Sequence, residues 1–348
     1  MTITVQYEHR DLLAAVTKAK MPSSFLFDLL NKGEETHETD QIEIDVVAGD
    51  QKMSAYSTPL GNGEYVGKEG YATYIHKLPY TKQLTSFTAK DLNDRIPGET
   101  IYESGIASRS DRKIGEALAK FRNRNLMRRE YQLAEAIQTG YQTISGDFVS
   151  YTINYQRDAS NTGAARTGDN RWGQVSATIM ADIRAGAKQM RAPGVFGGYP
   201  RVMLLGETAA EAFVDSDEIV EKLDNRRMEM GQIAPRLLES NDASYLGTLQ
   251  DVGLNLEVWS YFGQYVDSSD AAQYLFDPNG MALINTDIRV TTHYSMISNF
   301  HSGNFVGREF PYFWISENGS VANIQLESGF IVATHEPNKI YYRSVGNA

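Results

Sequence analysis

The feature that most limits how this chain can fold is a long stretch with no core of its own. From Gly49 to about Asn93 there is no helical periodicity: QKMSAYSTPL leads into a glycine-rich turn, and YATYIHKLPYTKQLTSFTA alternates after it. Such alternation is strand periodicity, and Gly61, Gly63, Gly67 and Gly70 occupy the turn. The pattern predicts a hairpin with arms of about fifteen to twenty residues, reaching roughly 50–65 Å at ~3.3 Å per residue. A two-stranded ribbon on its own is marginal in water. Its aromatic face (Tyr65, Tyr71, Tyr74, Tyr80 and Phe87) therefore needs a surface to lie on, either in its own domain or on a neighbour.

A glycine-rich turn can also cradle a phosphate, which would point to an enzyme. Here the spacing is GxGxxxG, one residue too long for the dinucleotide fingerprint, and no helical pattern follows it. The chain has no Walker-type GK[ST] and no GxSxG nucleophile elbow. His9, His37, His76, His293, His301 and His335 are scattered, without HxH or HExxH spacing, so no metal centre and no cofactor is expected. With no cysteine, disulfides and thiolate chemistry are excluded. The formal net charge of −11 argues against a protein that grips nucleic acid, because phosphate contacts need a basic surface. No apolar run approaches the ~18 residues of a membrane span, and MTITVQYEHRDLL lacks the layout of a secretory signal. The expectation is a soluble chain.

Before the hairpin, HRDLLAAVTKA carries one helical stripe and PSSFLFDLL a short aromatic patch. NKGEETHETD (31–40), with Glu34, Glu35, Glu38 and Asp40, reads as a polar acidic linker, and QIEIDVVA (41–48) as a strand. The clearest element follows at 106–140. Ser108 and Asp111 form a capping-box pattern, Gly140 supplies a stop, and Ile114, Leu118, Phe121, Leu133 and Ile137 fall near helical spacing. This long helix is basic inside an acidic chain, and its stripe of Arg122, Arg124, Arg128 and Arg129 allows three readings. It can be a solvated face paired at i,i+4 with Glu116, Glu130 and Glu135, or a strip met by acidic surface from another subunit, such as the linker's carboxylates. The third reading is nucleic-acid contact, which lacks the interleaved aromatics that stack bases. Further on, RVMLLG (201–206) reads as a buried strand, ETAAEAFVDSDEIVEKLDNRR (207–227) as one helix, and 254–287 and 320–345 as strands.

An arm, a long two-stranded loop, one long helix and then an α/β region ending in strands is an order that resembles the tailed-phage major capsid proteins. Within them it is most similar to the lambda-like major head protein family. The local resemblance lies in VEKLDNRR (220–227) closing a helix, YFGQYVD (261–267) on a hairpin, NGMALINTD (279–287) after it, and the terminal SGFIVATHEPNKIYYRSV (328–345).

The resemblance implies an α+β fold with an N-terminal arm (1–45), an extended E-loop (46–95), a peripheral P domain (96–195 and 304–348) with a spine helix at 106–140, and an axial A domain (196–303). It implies a non-enzymatic protein without cofactor that self-assembles into pentamers and hexamers. These would form an icosahedral head around double-stranded DNA touched only weakly. Implied partners are further copies, a scaffolding protein, a portal and a decoration protein, with no membrane; assembly would take place in the host cytoplasm. The working parts would be the loop tip (Gly61, Gly63, Tyr65, Gly67, Lys68, Gly70, Tyr71, Tyr74), the basic stripe and the acidic arm. Two alternatives stand beside it: an encapsulin-type compartment shell, and a soluble α/β enzyme with a glycine-rich lid.

Overall fold

The computed structural model of the chain describes residues 12, 24–47, 71–88, 90–91, 106–146, 149–192, 194–220, 223–224, 242–251, 253–267, 269–299 and 303–346. The predicted loop tip, with Gly61, Gly63, Tyr65, Gly67, Lys68 and Gly70, lies outside the described residues, as does most of the arm before Ser24.

The spine helix Ile106–Thr139 has 34 residues, about 51 Å at ~1.5 Å per residue. Ile114, Leu118, Phe121, Leu133 and Ile137 are all buried, as their spacing predicts. The helix starts two residues before Ser108, which therefore sits in its first turn and not at a cap. Its end is the expected one. Gly140 has φ +77°, a left-handed conformation that glycine adopts without strain. The last carbonyls, which have no partner within the helix, are met by the Arg157 guanidinium, donating to Ile137 O at 2.6 Å and Gln138 O at 2.8 Å.

In chain order the strands are β1 (Asn31–Thr36), β2 (Gln41–Val47), β3 (Tyr71–Lys77), β4 (Tyr80–Thr88), β5 (Tyr141–Gly146), β6 (Val149–Asn154), β7 (Thr162–Gly163), β8 (Val202–Leu205), β9 (Leu223–Asp224) and β10 (Ala243–Asp251). They continue as β11 (Leu254–Tyr261), β12 (Gln264–Val266), β13 (Ala272–Tyr274), β14 (Gly280–Ile284), β15 (Val290–Tyr294), β16 (Ile297–Asn299), β17 (Gly303–Phe305), β18 (Phe310–Ile315), β19 (Val321–Thr334) and β20 (Ile340–Ser344).

A mixed seven-stranded sheet runs β7-β20-β14-β8-β11-β10-β9. Its central strands are covered on both faces, and for that reason Val202–Leu205 is a continuous apolar run with no alternation. Met203, Leu205, Val258 and Leu283 pack towards helices Ile179–Met190 and Glu207–Val214. Val202, Leu204, Trp259 and Ile284 pack towards the spine helix and the short helix Phe25–Leu30. Gly186 lets the helix above approach closely: a Cβ there would lie 2.7 Å from the Tyr341 ring.

The second sheet runs β1-β15-β19-β18, with β4 also on β19. The 14-residue β19 holds it together, pairing with β4 and β18 along its first part and with β15 over Phe330–Thr334.

Three expectations need correction. NKGEET is not linker; it is β1, running parallel to β15. Ladder hydrogen bonds come from the backbone, and charged side chains suit an edge strand. The predicted hairpin is also shorter on its return side, because the chain breaks at Leu78-Pro79 and only β3 pairs with β2, while β4 joins β19. Tyr80 and Phe87 thus belong to the body, Phe87 packing beside Ile114, Leu118 and Ile324. Finally, the helix predicted over 207–227 stops at Val214, resumes briefly at Asp217–Val220, and gives way to β9, which pairs with β10.

Candidate assembly interface

The stem of the loop is β2 with β3, an antiparallel pair in register from Gln41↔Lys77 to Val47↔Tyr71. Among the described residues neither strand pairs with a third. Its root is clamped to the body. Ile42 and Leu78 are buried with Ala136, Ile153, Tyr155 and Ile331, Leu78 N donates to Asp40 O at 2.9 Å, and the Tyr151 hydroxyl donates to Lys77 O at 2.8 Å. Tyr74 stacks on His76 with ring centroids 6.5 Å apart, and His76 stands 6.3 Å from Tyr155. Beyond that root, Ile75 is 63% exposed.

The basic stripe divides into two. Arg129 is only 5% exposed and lies over the rings of Phe330, Tyr294 and Phe27 at 5.2, 5.5 and 5.9 Å. Its charge faces Glu309 at 3.6 Å, and Arg122 faces the same carboxylate at 3.8 Å. Arg124 and Arg128 are exposed, in line with Lys120 at intervals of four residues and therefore on one helix face. They border an open groove of about 1160 Å³ between the spine helix, the end of β5 and β12. Met127 and Val266 add apolar surface to its lining, Val266 being 66% exposed. Arg128 sits 5.7 Å over the Tyr131 ring, which meets Tyr265 edge-on at 5.3 Å. Three cations with two carboxylates, Glu116 and Asp267, beside Met127, Tyr131, Tyr265 and Val266 give the groove a mixed lining that suits an extended segment with polar and aromatic side chains.

The predicted i,i+4 partners are only partly in place. Glu116 accepts from Arg112 Nε at 3.0 Å. Glu135 turns instead to Thr143 N at 3.1 Å. Glu130 points inward, accepting from Leu26 N at 2.8 Å, Phe27 N at 3.0 Å and the Tyr261 hydroxyl at 3.0 Å. It takes the place of a cap for helix Phe25–Leu30, whose own Ser24 makes no side-chain cap. Burial pushes its carboxyl up to about 7, against the pull of those hydrogen bonds.

The acidic arm is largely paired within its own chain. Glu34 meets Arg308 at 2.5 Å and accepts from the Tyr294 hydroxyl at 3.3 Å. Glu35 meets Arg289 at 3.4 Å and Asp40 meets Lys77 at 3.8 Å, while Glu38 is exposed. Glu34, Glu35 and Asp40 thus tie β1 and the stem root to the body of their own chain. Sequence reading gave Glu130 a place on the solvated face and missed Glu309. Their partners lie far away in the chain, and no local pattern marks them.

Residues 8–342 match the family described as phage major capsid protein E. The chain belongs to that family. It is 21% identical over 311 residues, 86% of each chain, to the P21 prophage-derived major head protein of Escherichia coli O6:H1 strain CFT073, and to the same extent to the major capsid protein of Enterobacteria phage P21. The fold matches that of a prophage capsid protein from E. coli CFT073 with TM-score 0.75 at 18% identity, covering 98% of this chain and 99% of that one. The α+β capsid-protein fold implied by the lambda-like resemblance is the fold observed. This is a major capsid protein of a tailed phage, a structural component of the virion that builds a shell with copies of itself. Among the described residues no helix is long and apolar enough to cross a membrane.

Proposed function

We propose that this capsid protein forms pentamers and hexamers of an icosahedral head enclosing double-stranded DNA, with each E-loop laid across a neighbour's spine-helix groove. The observation that carries the reading is a stem whose described strands pair only with each other, in a subunit that also offers an open groove of mixed charged and apolar lining. Glycines at 61, 63, 67 and 70 allow one loop to bend differently in the two kinds of ring. Head-to-tail contacts of this type close into rings, and the shell sums many modest contacts.

The division into arm (1–45), E-loop (46–95), peripheral domain (96–195 and 304–348) and axial domain (196–303) serves this reading, with exchanges at its borders. β7 and β20 join the seven-stranded sheet, while β1, β4 and β15 join the sheet built on β19. Assembly takes place in the host cytoplasm, helped by a scaffolding protein and a portal. The acidic balance keeps contact with the packaged DNA weak. Deleting residues 62–70 and imaging the purified protein by negative-stain microscopy tests the proposal. The expected result is a folded subunit that forms no closed shells; shells of normal size would refute it.

A further inference from the structure

Three of the scattered histidines come together where the arm joins the body. His37 Nε2 lies 2.9 Å from His293 Nδ1, Glu35 Oε2 lies 3.6 Å from the same nitrogen, and His293 Nε2 lies 3.3 Å from His335 Nε2. The cause is strand geometry. Glu35 and His37, two apart on β1 and its continuation, share a face, and Glu35 is the register partner of His293 on β15. His37 N also bonds Tyr294 O at 2.8 Å, and His335, just past β19, bonds Arg289 O at 3.0 Å. One donor atom from each of Glu35, His37 and His293 falls within 4.8 Å of the others.

We propose that Glu35, His37 and His293 form a zinc site that pins β1, the base of the N-terminal arm, to the body of the subunit, with His335 as the outer partner of His293. Tetrahedral zinc with bonds of ~2.0–2.1 Å places neighbouring ligands roughly 3.3–3.4 Å apart, and the two separations at His293 Nδ1 lie either side of that value. Two imidazoles and a carboxylate are a donor set zinc accepts, with a fourth position open to water. In the tautomer that carries its proton on Nε2, His293 turns the lone pair of Nδ1 towards Glu35 and His37. Its far nitrogen then donates to His335, the second-shell arrangement that orients a metal-bound imidazole. Glu35 gives its other oxygen to Arg289, leaving Oε2 for the metal. Without zinc the same three rings form a hydrogen-bonded relay, so the site is built in either state.

Calorimetric titration of chelator-stripped full-length protein with zinc tests the site, with thermal melting as a second readout. The wild type should take up one zinc per subunit and melt several degrees higher with it. His37→Asn should bind at least tenfold more weakly and lose that rise, while melting like the stripped wild type in chelator. His335→Asn should weaken binding by about 10–100-fold, the usual effect of removing an outer partner. If His37→Asn does not fold, Glu35→Gln, at an exposed carboxylate, carries the same test. Absence of saturable binding by the wild type, or wild-type affinity in folded His37→Asn, overturns the proposal.

Discussion

The seven-stranded sheet and the β2–β3 stem show two ways for a strand to be satisfied. Val202–Leu205 has sheet neighbours on both sides and apolar layers above and below, all from its own chain. Among the described residues the stem has one neighbour per strand, a clamp at Ile42 and Leu78, and Ile75 facing water. The spine helix holds the same contrast within a single element. Arg129 is enclosed by three rings and Glu309, whereas its neighbour Arg128 looks into an open groove. Groups enclosed within the subunit serve folding, and those left open are available to another subunit.

Substitution on the enclosed side should show the largest effect. Arg129→Ala removes the cation from among the rings and leaves Glu309 buried with, among the described residues, the more distant Arg122, so urea denaturation of the dissociated subunit should show a loss of about 3 kcal/mol. A loss below ~1 kcal/mol would mean that the interior pair is no more valuable than a surface one.

Next comes Glu130, which ties the arm's short helix to the spine. Its carboxyl is raised from 4.5 to about 7, so the folded state holds the proton more tightly than the unfolded chain does. The stability it contributes is complete below 4.5 and falls as pH rises towards about 7, an effect of about 3 kcal/mol at ~1.36 kcal/mol per unit. Asp28 adds to the shift and Tyr261 opposes it through its hydrogen bond. His293, lowered by burial, acts in the opposite direction, so the comparison to make is wild type against Glu130→Gln. Denaturation curves at about pH 5 and about pH 8 should show the gap between the two proteins changing, because only the wild type carries this titration. A constant gap would remove Glu130 as the cause.

The open side should show the smallest change in stability and a clear change in assembly. Arg124→Glu with Arg128→Glu should shift subunit stability by less than ~0.5 kcal/mol while greatly reducing the yield of shells seen by light scattering. Equal losses of both would return these arginines to the role of a solvated face.

Much of the fold could be read from the residues because its signals are local. The spine helix showed in Ile114, Leu118, Phe121, Leu133 and Ile137 and in the Gly140 stop, and β8 in RVMLLG. NKGEET gave no such sign, since an edge strand held by backbone ladder bonds need not alternate. The Leu78-Pro79 break lay in plain view, yet the partner that captured β4 was more than 200 residues away on β19.

The sequence by itself determined the elements whose cause is periodicity or a stop residue, together with the family likeness carried by their order. The tertiary structure alone decided which charges are enclosed. Arg128 and Arg129 are adjacent, and a turn of ~100° per residue on an α-helix sends them to different faces. Whether each finds a partner depends on Glu309 and Tyr294, far along the chain. The same holds for Glu130 with Leu26, and for His37 with His293. Local propensity acts over a few residues, while burial and pairing depend on whatever the folded chain brings alongside.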